Sequence, residues 1–193
     1  MQKAVTTATE RAGFPPVLSS KMGITIHFGF MAIDKNAVIK LIAEIKGIAE
    51  KCGMKIVQAD EMLLNILPHP KCETLLIDFI KWKEAKGKEG FTYCKATMED
   101  FQKVLSDENY VCSDFTKTQY AGIQTHILVA ELLRKVAQRC TLAYVYDEAG
   151  YYETRNIEKT AKSFDSSSDM IRKLGEQLKE MYGADNVMCG EDL

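Results

Sequence analysis

Between Met54 and Trp82 three apolar runs follow one another with no helical period between them, and that succession decides what the chain can fold into. The runs, Met54 to Gln58, Met62 to Leu67 and Thr74 to Trp82, read as strands, with Pro68 and Pro70 breaking the last two apart. Before them, Gly23 to Phe30 (GITIHFGF) alternates with period two: Ile24, Ile26, Phe28 and Phe30 point one way, Thr25, His27 and Gly29 the other. A helix comes next. Asp34 is its N-cap, Gly53 its stop, and Val38, Leu41, Ile42, Ile45, Ile48, Ala49 and Cys52 form its apolar stripe. Consecutive strands without helices between them predict an α+β fold: a largely antiparallel sheet with long helices packed on it, in a single layered domain.

Further along, Lys83 to Gly90 (KEAKGKEG) reads as a solvated loop, Phe91 to Lys95 as a strand, and Thr97 with Asp100 as the start of a short helix carrying Met98, Phe101, Val104 and Leu105. Tyr110 to Cys112 is a short strand. Thr116 and Gln119 have the S/T-x-x-E/Q spacing of a capping box, which starts the second long helix there and runs it to about Arg139. Leu142 to Tyr146, a DEAG turn with Gly150 at positive φ, and Tyr151 to Thr154 read as a hairpin. Ser168 or Asp169 caps a third helix with Met170, Ile171, Leu174, Leu178 and Met181 on one stripe, ended by Gly183. The division expected is an N-terminal extension over 1–22 and one α+β domain over 23–193.

Charge narrows the partners. With 25 basic against 27 acidic residues the net charge is −2, which lacks the electrostatic footprint of a nucleic-acid binder. The first 22 residues carry Lys3, Glu10, Arg11 and Pro15-Pro16 and no apolar signal core, and no window approaches the ~18 apolar residues of a membrane span. A cytoplasmic protein without a membrane partner is expected. The six cysteines, Cys52, Cys72, Cys94, Cys112, Cys140 and Cys189, form no C-x-x-C pair, and a reducing compartment keeps them free.

Three clusters could carry chemistry. On the second long helix His126 lies opposite the charged stripe Glu131, Lys135 and Gln138, so its imidazole aims at the interior, with Gln119 and Gly122 on its own side. A helix start supplies free N–H groups and a positive dipole end, and Lys117 adds charge; together they suit an anion or carboxylate. The plainer reading is a core histidine hydrogen-bonded to a carbonyl or a buried acid. The second cluster, His69-Pro70-Lys71-Cys72-Glu73, holds an imidazole, an amine, a thiol and a carboxylate in a stiff bend. Lys71 could make Cys72 a thiolate nucleophile, or His69, Cys72 and His126 could begin a metal site; the plainer reading is a buried inert thiol. In the third, Asp147, Glu148, Glu153 and Arg155 accompany Tyr144, Tyr146, Tyr151 and Tyr152, as solvated turn acids and paired strand tyrosines, or with Glu153 turned inward as an acid/base partner of His126.

The stretches HPKCE (His69 to Glu73), FTKTQYAGIQTH (Phe115 to His126) and VYDEAGYYET (Val145 to Thr154) resemble those of an uncharacterised conserved prokaryotic protein family, over most of residues 22 to 160. That family tends to a glycine where this chain has Ala149 and a tryptophan where it has Tyr152. The resemblance implies no activity or cofactor; it implies that Lys71, Lys117, Gln119, His126 and Glu153 converge.

The leading expectation is therefore a small-molecule protein with a polar pocket for an anionic ligand, bound by Lys71, Lys117, Gln119, His126 and Tyr152, with His126, Glu153 and Cys72 as the catalytic candidates if it is an enzyme. His126→Ala would then abolish binding and leave the fold intact. The alternatives are an interaction or regulatory module using the tyrosine hairpin and an open sheet face, for another protein or a second copy of the chain, and a metal protein using His69, Cys72 and His126.

Overall fold

The alternation of the first segment becomes strand β1 (Thr25–Ala32), and the computed structural model, which describes residues 24–85 and 105–182, builds two antiparallel sheets around it. After β1 come α1 (Lys35–Lys51), β2 (Lys55–Ala59), β3 (Leu63–Leu67), β4 (Leu75–Asp78), β5 (Ile80–Lys81) and α2 (Trp82–Ala85). Then follow β6 (Tyr110–Lys117), a 3-10 turn (Gln119–Ala121), α3 (Gly122–Arg139), β7 (Leu142–Asp147), α4 (Tyr151–Thr154) and α5 (Ile157–Tyr182). One sheet has the order β5-β6-β1-β7, the other β2-β3-β4. The fold is α+β, with helices and antiparallel sheets mixed.

β1 is the hub. It pairs with β6 through Thr25↔Lys117 to Ala32↔Tyr110 and with β7 through Ile26↔Asp147 to Met31↔Leu142. Its inward residues Ile26, Phe28 and Phe30 meet Val38, Leu41 and Ile45 of α1, Val129, Leu133 and Val136 of α3, and Leu64, Ile66, Leu75 and Ile77 of the second sheet in one core. Each such side chain stabilises the fold by about 1.5–3 kcal/mol on burial.

α1 forms as its signals dictate: Asp34 Oδ1 accepts from Ala37 N at 2.8 Å, and Gly53 leaves the helix at φ +74°. Four other expectations change. The single strand expected over Thr74 to Trp82 is two, because Phe79 N donates back to Met62 O and frees Ile80 and Lys81 to pair with β6 instead. Lys83 to Ala85, expected in the loop, continue Trp82 as a helical turn, with Ala85 buried beside Met31 and Val111. Tyr110 to Cys112 extends to an eight-residue strand, because every position through Lys117 finds a partner on β1. Thr116 therefore cannot cap a helix: its hydroxyl donates to Glu73 O at 3.3 Å, and α3 starts only after the 3-10 turn.

The tyrosine hairpin is also corrected. Asp147 Oδ1 and Oδ2 accept from Ala149 N and Tyr152 N, Gly150 takes φ +74°, and the chain winds into α4 rather than returning as a strand. The third helix begins well before Ser168: Asn156 Oδ1 accepts from Lys159 N at 2.9 Å as its cap. The strand and helix expected over 91–104, the extension 1–22 and the Gly183 stop lie outside the described residues. No described helix is long and apolar enough to cross a membrane.

Candidate functional site

The 3.6-residue period turns His126 inward as expected, to 0% exposure. Its Nε2 lies 3.0 Å from Asp147 Oδ2 and its Nδ1 2.7 Å from Thr118 Oγ1. A carboxylate only accepts, so Nε2 carries a proton. Burial alone would push the Asp147 carboxyl up; the hydrogen bond and charge of His126 and the N–H groups of Tyr152 and Ala149 outweigh it and hold the group below its ordinary value. The Phe164 ring packs against the imidazole in a T-shaped arrangement, with ring centroids 5.3 Å apart.

Hydroxyl, imidazole and carboxylate thus stand in line as in a hydrolase relay. A nucleophile must meet its substrate, and here Thr118 and His126 are both 0% exposed and Asp147 3%. The arrangement is a core network, the plainer of the two readings, and the anion pocket expected around His126 gives way to it. Gln119 is buried in the 3-10 turn beside Thr118 and makes no bond to an imidazole whose nitrogens are both engaged.

The bend is tied to the end of β6. Glu73 N donates to Lys117 O, Lys117 N donates to Glu73 Oε2, and Lys117 Nζ lies 3.9 Å from Glu73 Oε1, both side chains about half exposed. Such a pair contributes about 0–1 kcal/mol. Lys117 therefore points to Glu73 rather than supplying charge at the helix start. Lys71 is exposed, and His69 Nδ1 accepts from its N–H, which stiffens the bend. Cys72 is 8% exposed and its thiol donates to Lys117 O at 3.2 Å. Burial pushes that thiol up to about 11, with Thr116 opposing and Glu73 assisting, which favours the inert thiol over the thiolate that Lys71 could have promoted.

Cys140 is likewise raised by burial, to about 12, and Cys112 is raised by burial as well, whereas Cys52 is exposed. Alkylation of the native protein by iodoacetamide at pH 7.5, read by peptide mass spectrometry, should modify Cys52 while Cys72, Cys112 and Cys140 stay at least 100-fold slower. Rapid labelling of Cys72 would restore the nucleophile reading. Among the described residues no group of three or more His, Cys, Asp and Glu could hold a metal ion, and with both His126 nitrogens occupied the set His69, Cys72 and His126 is not one.

From the third cluster, Glu153 Oε1 accepts from Asp147 N at 3.3 Å, so it joins the network through the backbone and not through the imidazole. Burial raises its carboxyl. Tyr152 is buried under the Arg134 guanidinium, 4.4 Å above its ring, and Arg134 also donates to the Tyr152 carbonyl. Hydrogen bonds thus join Glu73 to Lys117, and Thr118 through His126 and Asp147 to Glu153, with only the peptide bond between Lys117 and Thr118 linking the two sets; Lys71, Gln119 and the Tyr152 side chain are left out.

An open cleft of about 280 Å³ lies elsewhere, between Ile24 and Glu148 on one side and Lys159, Lys162, Ser163 and Ser167 of α5 on the other. The spacing i, i+3, i+4, i+8 sets those four on one helix face. Ser163 and Ser166 donate their hydroxyls to the carbonyls four residues back, the ordinary helical arrangement. Ser167 does not: its Oγ is buried without a partner. Among the described residues neither lysine lies within ion-pair distance of an acid. Glu148 is occupied otherwise, its Oε2 accepting from Thr25 N at 2.9 Å and its Oε1 3.9 Å from His27 Nε2. Burial would raise this carboxyl, but those partners hold it below its ordinary value, so the wall stays ionised.

None of Lys159, Lys162, Ser163 and Ser167 stood among the expected site residues. Their signal was the K-x-x-K-S-x-x-S-S spacing, which a solvated helix face shares. No family model matches the chain, and neither a curated protein nor a solved structure matches it.

Proposed function

We propose that this protein binds a small anionic ligand, a phosphate or carboxylate, in the cleft between Glu148 and α5. The observation that carries the reading is the Ser167 hydroxyl, buried and unpaired beside two lysines that no described acid neutralises. A buried donor left unsatisfied costs about 1–3 kcal/mol; a rotation of the Ser167 side chain toward the cleft would let an anion oxygen satisfy it while two ammonium groups balance the charge. Three buried free thiols support a reducing, cytoplasmic location.

Binding of pyrophosphate followed by calorimetry tests the reading. The Lys159→Ala/Lys162→Ala variant should bind at least tenfold more weakly at unchanged melting temperature, because both side chains belong to an open cleft, and affinity should fall as salt rises. An unchanged affinity in the variant, or no heat with the wild type, would refute it.

A further inference from the structure

The outward faces of three strands put His27 of β1 between Phe115 of β6 and Tyr146 of β7, in register. The ring centroids are 5.9 and 6.1 Å apart and the planes are inclined by 39° and 29°. Phe115 and Tyr146 are each about half exposed, and the His27 side chain is 41% exposed. Among the described residues β7 is the edge of its sheet, and within them no strand continues the row beyond Tyr146. Along β7 from Tyr146, at right angles to the row, Glu148 follows two residues or roughly 7 Å on. Its carboxylate lies 3.9 Å from His27 Nε2 and also walls the lysine cleft. The aromatic row and the cleft therefore adjoin at one residue.

Resting on the anion-site reading above, we propose that the ligand is a free mononucleotide, its base stacked on the His27–Tyr146 end of the aromatic row, its ribose on Glu148 and its phosphate on Lys159, Lys162 and Ser167. The order of chemistries along the surface is the order along that molecule: a π-face for a planar ring, an acceptor for sugar hydroxyls, and cations with a free hydroxyl for phosphate oxygens. Glu148 keeps capacity for the sugar, because a carboxylate accepts at about four lone-pair sites, of which the Thr25 N–H uses one on Oε2, while His27 faces Oε1 from 3.9 Å. Stacking on aromatic rings tolerates any base, so the row selects a base over no base rather than one base over another. A lone row of exposed rings would equally suit a protein partner; the adjoining lysine and serine cleft is what favours a phosphorylated ring.

Calorimetric titration with AMP, GMP, ribose 5-phosphate and adenosine tests the assignment, with circular dichroism of each variant as the folding control. AMP or GMP should bind at least tenfold tighter than ribose 5-phosphate. Tyr146→Ala should remove that advantage and leave ribose 5-phosphate binding unchanged, while Tyr146→Phe retains it. Lys159→Ala/Lys162→Ala should weaken AMP and ribose 5-phosphate together and leave adenosine unaffected. Equal binding of AMP and ribose 5-phosphate would overturn the nucleotide assignment while the anion site stands. Absence of binding by all four, with pyrophosphate also inert, would overturn both. A 5′-phosphorylated trinucleotide binding more than tenfold tighter than AMP would overturn the free mononucleotide as the occupant.

Discussion

His126→Ala should lose about 3–5 kcal/mol of stability, a large share of the roughly 5–15 kcal/mol that holds an ordinary domain folded. Three costs combine. The imidazole fills a site with 0% exposure, so its removal leaves a cavity beneath the Phe164 ring. It also strips Asp147 of the partner that offsets the carboxylate's burial, and leaves the Thr118 hydroxyl without its bond. Urea unfolding of the two proteins followed by circular dichroism gives the difference directly. This reverses the expectation drawn from the sequence, in which the same variant kept its fold and lost only a ligand. A loss below 1 kcal/mol would return His126 to the list of functional candidates.

Asp147→Ala should cost a similar ~3–5 kcal/mol at pH 7, because one carboxylate serves three donors: His126 Nε2, Ala149 N and Tyr152 N. The variant should also change how stability depends on acid. The Asp147 pKa is lower in the folded protein than in the unfolded chain, so its contribution is fully present above the unfolded value of about 3.9 and disappears as pH falls through the folded one. The gap in urea stability between wild type and Asp147→Ala should therefore hold from pH 7 to about pH 5 and narrow below about pH 4. Taking the difference cancels the part of the opposite Glu153 contribution that burial causes, since that burial is common to both proteins, and leaves the smaller part that the Asp147 charge adds. A gap that stays constant down to pH 3 would show that the carboxylate is not held ionised by this network. The double variant His126→Ala/Asp147→Ala should lose much less than the sum of the two single losses, since each removal has already broken the shared bond.

What was legible in the sequence was local. Asp34 and Gly53 fix α1 because a cap and a left-handed stop act within one turn of the backbone. The phase of α3 likewise turned His126 inward, since the direction of a helical side chain follows from the residue count. Its partner was not legible: Asp147 lies 21 residues away, and a turn acid in a sequence reads as solvated until a sheet register brings it under a helix. Strand β6 was seen only at its start because CSDFTK lacks an apolar alternation; β1 imposes the pairing from outside. Tyr151 to Thr154 misled in the other direction. Tyrosine-rich chain favours a strand, but a carboxylate accepting two N–H groups at the turn is worth more than propensity. The lysines and serines of α5 were in plain view, and only the second wall, Ile24 and Glu148, distinguishes them from an ordinary wetted helix.

Helix α5 presents Phe164 to the imidazole and, one turn further along nearly the same face, Ser167 to the cleft. One rigid rod is therefore both the roof of the core and the floor of the binding site, and the two cannot come apart independently. Any occupant that holds the serines and lysines in place adds its mass-action term to the roof as well, so that filling the cleft would reinforce the hydrogen-bonded core beneath it.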